Sequence, residues 1–449
     1  MDRRWLLVAC CALAGCKQLF GLDDPTTGAA NDARIDTMNV PDAGTCTGAS
    51  AMCLGDTLRT CGAAGEAAVD TACTWGCGTS TSNPASHCQA LVPAGDGAVS
   101  SDLTDTMGVT GAVTLNAGII VDSDTGRIGT TLNPSSIRAP GTGIISGIDF
   151  QLHNGVGVLR MYLLTVNGPV SLVGSHSIAL VSISDVVIND VIDARGTCLN
   201  RVAGPGGFAG GAIDASGFGT GAGKAKTTIA GGGGAGYGGA GGDSGPYTGA
   251  NAGGVVYGDA AISKLVGGSG GGGASDTGAN SGIGGGGGGA VQVLSNTFIQ
   301  IGAAGGINAG GCGGKAGAGG NDGGGGGGSG GTIVLEAPQV IVNGALAVNG
   351  GAGGTGGGGT GYGESGRLDR MQARPPASGT YAAGSGGAAA IRNGGDGGAA
   401  GNGGGGGGVG RMRFTTRDDM GLTIAGVAVL SPSLTDTGTT CTRAASVTQ

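Results

Sequence analysis

The sequence predicts an all-β fold, a right-handed parallel β-helix (solenoid) with glycine-rich inserts, preceded by a small disulfide-rich module. Three observations predict it. Doublets of alternating aliphatic residues recur in threes from Val156 onward, each short enough to be one strand. Glycine is concentrated: of 111 in the chain, 25 fall in residues 1–200 and 83 in the stretch from Gly204 to Gly410. Three runs of six glycines, at 284–289, 323–328 and 403–408, each lead directly into an apolar, β-prone segment.

In chain order, the first element is an export signal. Arg3 and Arg4 precede an apolar run from Trp5 to Ala14, too short to cross a bilayer, which takes about 20 residues. Leu13-Ala14-Gly15-Cys16 then resembles the lipobox of bacterial lipoprotein signal peptides. That resemblance implies removal of residues 1–15, diacylglycerol on the Cys16 thiol and acylation of the new N-terminus. Several acyl chains give stable anchoring, at about 0.8 kcal/mol per buried CH₂. Lys17 in place of Asp favours the outer membrane by the enterobacterial sorting rule. The competing reading is an ordinary secretory signal in which Cys16 is incidental. Residues 16–45 are polar, acidic and aperiodic, and read as a disordered tether.

Six cysteines follow, with the spacing C-x6-C-x7-C-x11-C-x3-C-x10-C: Cys46, Cys53, Cys61, Cys73, Cys77 and Cys88. A small exported segment with little apolar content needs covalent staples, so residues 46–88 read as a three-disulfide module of undetermined connectivity. A zinc site is the rival, weakened by the absence of CxxC and by His87 being the module's only histidine. The pattern resembles six-cysteine modules in exported proteins of Gram-negative bacteria. Trp75 is expected to pack over a disulfide.

The body is expected over residues 98–430. Its units are Val156/Val158, Leu164/Val166 and Val170/Leu172; Ile178/Leu180, Val186/Ile188 and Ile192/Ala194; Val291/Val293, Ile299/Ile301 and Ile307/Ala309. Ile333/Leu335, Val340/Val342 and Leu346/Val348 follow, then Met412/Phe414, Leu422/Ile424 and Val427/Val429. Three such short strands bury too little to stand alone, so the units must stack, strand on like strand. Between them lie glycine-rich inserts at about 197–289, 310–331 and 350–408, and residues 431–449 read as a tail.

Ordering a glycine costs at least the usual ~1–2 kcal/mol of backbone entropy. One compensation is a polyproline-II-like helix, where neighbouring chains without Cβ atoms approach closely and exchange N–H···O=C bonds. Inserts leaving one corner of a β-helix would be held side by side for such a polyglycine-II bundle. The alternative is floppy loops. Tyr237, Tyr247, Tyr257 and Tyr362, inside the inserts, would seal bundle edges or serve as exposed contacts. Segments such as GPGGFAGGAI and GGTIVLEAPQVIVNGALAVNGGAGG resemble the glycine-rich β-helix-type surface lipoproteins of Gram-negative bacteria. A weaker likeness, in GGxGG texture alone, is to PGRS-type surface proteins, whose preceding helical domain is missing here.

Little chemistry is visible. A formal charge of −8 and a pI near 4.8 exclude a basic nucleic-acid footprint. G-x-G-x-x-G is expected by chance in such a glycine density and lacks a βαβ context, no P-loop or calcium-repeat motif is present, and no cofactor or metal is implied. His87, His153 and His176 are scattered. Parallel β-helices include polysaccharide lyases and hydrolases that use clustered carboxylates with Arg or Lys. The candidates for that chemistry are Asp122, Asp124 and Arg127, then Asp185, Asp190, Asp193 and Arg195. Alternation puts Asp193 and Arg195 on one side as a polar surface site, which a plain ion pair explains equally. Arg367, Arg370 and Arg374 form the body's only basic cluster and the expected contact for an anion such as surface polysaccharide. Of Cys198, Cys312 and Cys441, one pair is expected to bridge an insert to a β-helix coil. The reading is a lipid-anchored outer-membrane protein, cell-surface exposed, with a structural or adhesive role toward cells or matrix and no catalysis. Its alternatives are a glycan-binding or glycan-degrading β-helix and an ice- or surface-binding protein.

Overall fold

The computed structural model describes residues 46–445 apart from 81–82, 226–229, 247–248, 276–279 and 400. The signal sequence, Cys16, the tether and Tyr247 lie outside the described residues. Apart from the four-residue helix Ser101–Thr104, every helix or strand among the described residues is a strand.

The aliphatic doublets fall into three sheets. In the first, Val156–Met161, Ser177–Ser182, Ala290–Ser295, Thr332–Glu336, Arg411–Thr416 and Cys441–Ala445 run parallel, one beside the next. Ile178 is opposite Val291, Val291 opposite Ile333, and Ile333 opposite Met412, as the repeat requires. The second sheet pairs Ala112–Leu115, Leu163–Val166, Val186–Ile188, Phe298–Ile301, Gln339–Val342 and Leu422–Ile424, all parallel. In the third, Ile119–Asp122, Val170–Val173, Val191–Asp193, Gly306–Asn308, Ala345–Ala347 and Val429–Ser431 are parallel. The inward doublets of all three meet in one aliphatic cluster that includes Leu180, Val293, Leu335, Ile301 and Leu346. Each such side chain contributes about 1.5–3 kcal/mol by leaving water.

Two doublets sit one residue away from their sequence-based register. Gly157 and Leu159, not Val156 and Val158, stand opposite Ile178 and Leu180. This strand is buried on both sides, so alternation cannot tell the sides apart; Val156 and Val158 join a second cluster with Trp75, Leu91 and Leu103. Likewise Leu430, not Val429, faces the core opposite Leu346. The Ala428 amide bonds back to Ala425 O at 2.9 Å, and this turn leaves Val427 81% exposed.

The repeat also extends further than the doublets show. Ala112–Leu115 and Ile119–Asp122 form an earlier layer, and Cys441–Ala445, within the segment read as a tail, is the last strand of the first sheet. At the N-terminal end, Gly143–Ile145 and Ile148–His153 add antiparallel and close the sheet edge. There Arg138, fully buried, donates to the carbonyls of Gly126, Ala139, Gly141, Gly143 and Ile148 at 2.7–3.2 Å.

The inserts are ordered by a hydrogen-bond pattern with a period of three. Gly324, Gly327 and Gly330 donate to Asn402, Gly405 and Gly408; Gly325, Gly328 and Gly331 to Lys315, Cys312 and Ala309; Gly326 and Ser329 to Gly272 and Ser269. These bonds span 2.7–3.1 Å, and each direction around the run meets a different neighbour. None of the glycines in the three runs has a positive φ. What they supply is the missing Cβ, which at Gly324, Gly326 or Gly328 would meet a neighbouring carbonyl oxygen well inside 3.0 Å.

The cysteine module holds three disulfides, Cys46–Cys61, Cys53–Cys77 and Cys73–Cys88. A fourth, Cys198–Cys312, joins one insert to another and not an insert to a sheet, and Cys441 is free and buried. Trp75 docks the module on the first sheet: its indole N–H donates to Asn296 at 3.2 Å and its ring belongs to the second apolar cluster. Arg417 pairs with Asp56 at 2.9 Å on the same contact.

Candidate functional site

The carboxylates singled out in the sequence are occupied close to home. Asp124 accepts the amides of Ser175 and His176, the Ser175 hydroxyl and the His176 ring. Burial works to raise its carboxyl, yet these bonds outweigh it and hold the group below the usual range. Asp122 accepts the Asp124 amide, with Arg127 3.8 Å away. Asp185 accepts the Thr297 hydroxyl and Asp190 the Val191 amide. Asp193 and Arg195 form a two-point pair at 3.0 and 2.7 Å, about one-third exposed. Each group therefore closes a turn or a local pair, and the two clusters are not assembled into one site. Two of the three arginines of the basic cluster are paired: Arg367 bonds Asp369 at 2.8 Å with Glu364 3.5 Å away, and Arg370 bonds Asp436 at 2.6 Å, while Arg374 is tied to Glu364 through its backbone amide.

Tyr237 and Tyr257 seal an edge of the glycine region. Their ring centroids are 4.6 Å apart, Tyr237 is fully buried with its hydroxyl 2.9 Å from that of Thr332, and Arg411 lies over its ring.

A cleft that the sequence reading missed lies where residues 90–105 cross the outer side of the first sheet. It measures about 700 Å³ and adjoins a second hollow of about 300 Å³, both lined by Val99, Ser101 and His153. One wall is the strand Ile148–His153, whose alternation buries Ile148 and Phe150 in the core and sets Asp149, Gln151 and His153 on the other side. The opposite wall is the helix Ser101–Thr104 with Asp105. Val99 N–H bonds the Asp102 carboxylate at 2.8 Å, and Leu103 anchors the turn in the second cluster.

Arg160 ties the walls together. It donates to the Asp149 carboxylate at 3.0 Å and to the backbone carbonyls of Asp102 and Asp105 at 3.2 and 2.5 Å. Both Arg160 and Asp149 are buried, so this pair neutralises itself away from water. His153 Nδ1 lies 2.6 Å from Gly97 O, so that nitrogen carries a proton and donates to the carbonyl. Gln151 donates to Asp149, leaving its Oε1. The pattern D-F-Q-L-H carries this wall in plain alternation; Arg160, embedded in the apolar strand VGVLRM, gives no such signal. Among the described residues, no three of His, Cys, Asp and Glu converge as a metal would require.

The chain matches no family model, no curated protein and no solved structure. Its function is therefore argued from its own geometry.

Proposed function

We propose that the chain is a right-handed parallel β-helix whose inserts form a polyglycine-II-type bundle, anchored through a lipid on Cys16 and serving as a structural or adhesive element at the outer-membrane surface. The observation that carries this reading is the three-directional bonding of the glycine runs. A segment that costs ~1–2 kcal/mol per residue to order is tied to neighbours on every side, which is the investment of a rigid spacer. Four disulfides suit an exported body, and the carboxylates of the sequence clusters are engaged in structural contacts. Palmitate labelling of the full chain and of Cys16→Ala, followed by protease treatment of intact cells, tests it. Label confined to the Cys16 form and a body cut from outside are expected; label on Cys16→Ala, or a protected body, overturns the anchor or the exposure. Cells deprived of the chain should attach less to one another or to matrix, and unchanged attachment would remove the adhesive role.

A further inference from the structure

We propose that the cleft between residues 95–105 and the strand Ile148–His153 binds a ligand through a primary ammonium group, carried by an amino sugar or an aliphatic polyamine. This inference goes beyond the surface role and does not depend on it. The joined hollows, about 700 and 300 Å³, fall in the range of small-ligand sites.

The lining is charged one way. Asp96, Asp102 and Asp105 line it against the single cation Arg160, which Asp149 meets from behind at 3.0 Å and Asp102 at 3.5 Å. Asp105 is 56% exposed on its side chain and meets Arg160 only at 3.8 Å, so its charge faces the hollow largely uncompensated. An acidic polysaccharide would be repelled here.

The hydrogen-bonding inventory agrees. Three of the five N–H groups of Arg160 already donate to a carbonyl or carboxylate, and His153 Nδ1 donates to Gly97. The acceptors on the wall are the Asp105 carboxylate, which also takes the Met107 amide at 3.0 Å, and Gln151 Oε1. An ammonium group brings three donors and a positive charge, matching both the sign and the type of partner on offer. Arg160 is a positioning residue, because it grips the backbone of the two residues whose carboxylates supply the charge.

Calorimetric titration of the full chain at low salt distinguishes the possibilities. The probes are a glucosamine tetramer, its N-acetylated counterpart, spermidine and an oligogalacturonate. Binding of the glucosamine tetramer or of spermidine is expected, the tighter of the two naming the source. Asp105→Asn should weaken it about fivefold or more, the worth of one charge-assisted hydrogen bond. Ser101→Arg, which sets a cation on the rim shared by both hollows, should abolish it; circular dichroism verifies that both variants are folded. Equal or tighter binding of the N-acetylated or acidic oligomer, an Asp105→Asn protein that binds unchanged, or no binding of any probe overturns the proposal.

Discussion

Replacing Gly326 by alanine separates a packed glycine lattice from a flexible loop by the sign of its effect. In a loop, Gly→Ala stabilises by about 0.4–1 kcal/mol, because the unfolded chain loses freedom. Within the observed lattice a Cβ on Gly326 would fall inside 3.0 Å of Gly233 O, Gly233 C and Gly234 N, all of them backbone atoms that cannot rotate away. The same residue donates to Gly272 O at 2.8 Å and accepts from Gly285 N at 2.9 Å, so moving it strains bonds on two further sides. Overpacking of about 1–3 kcal/mol, with one or two hydrogen bonds weakened at about 0.5–1.5 kcal/mol each, exceeds the entropic gain. A net loss of about 2–3 kcal/mol is expected. Gly320 is the control: nothing lies within 4 Å of its added Cβ and its φ is not positive, so Gly320→Ala should be neutral or slightly stabilising. Guanidinium unfolding followed by circular dichroism reads the difference as a lower midpoint at unchanged slope for Gly326→Ala alone. Equal midpoints for the two variants, or a rise for both, would refute the lattice.

Three other perturbations follow from the geometry. Arg138→Met leaves five carbonyls at the N-terminal end of the core without their donor and should destabilise by about 3–5 kcal/mol in thermal or chemical unfolding; a loss under ~1 kcal/mol would show that Arg138 does not close the core. Glu336 is buried beneath Ala94, and burial pushes its carboxyl up despite donors from the Ala94 amide, Gln292 and Thr415. Because its folded value is raised, the stability gained from its proton is complete below the free value of about 4.3 and fades as pH rises through the folded value. Urea midpoints should therefore fall with pH more steeply in the native protein than in Glu336→Gln, and parallel profiles would contradict this. Burial pushes the Cys441 thiol up to about 12, so it should resist thiol reagents at pH 8 until the chain unfolds, measured against Cys441→Ser as the blank; prompt labelling of the folded protein would refute its burial.

The sheets were legible where one side of a strand faces the core and the other does not. Val186/Ile188 and Val340/Val342 alternate cleanly because Val187 and Ile341, between them, are only partly covered. Legibility failed where a second apolar layer covers the outer side, as at Val156–Met161 beneath Leu91 and Leu103, since burial on both sides erases the period. It failed again at Val427, where a turn spends one residue that the alternation counted as strand. The disulfide module was readable as a group of six cysteines, but pairing depends on which strands lie adjacent, and spacing does not encode that. The cleft has the same character. Asp149, Gln151 and His153 alternate visibly, but Arg160 joins Asp149 across 11 positions and brings in Asp102 and Asp105 across 58 and 55, between a strand and a linker with no shared pattern.

The order of the glycine runs reproduces the order of the strands they feed. Gly285 and Gly288 donate to Gly326 and Ser329, while Gly327 and Gly330 donate to Gly405 and Gly408. The run before Ala290–Ser295 therefore lies beside the run before Thr332–Glu336, which lies beside the run before Arg411–Thr416, and those three strands are neighbours in the same sequence within the first sheet. The glycine just before each of these strands is tied to the residue that follows a third-sheet strand: Gly289 bonds Ala194, Gly331 bonds Ala309 and Gly410 bonds Val348, each at 2.7–2.8 Å. Strand pairing at about 4.8 Å thus delivers successive runs already in register and close enough to bond. Most of the entropy cost of bringing distant glycines together is met when the aliphatic core forms, and the glycines add only their local ordering. This is why six consecutive glycines can precede a strand without behaving as a linker.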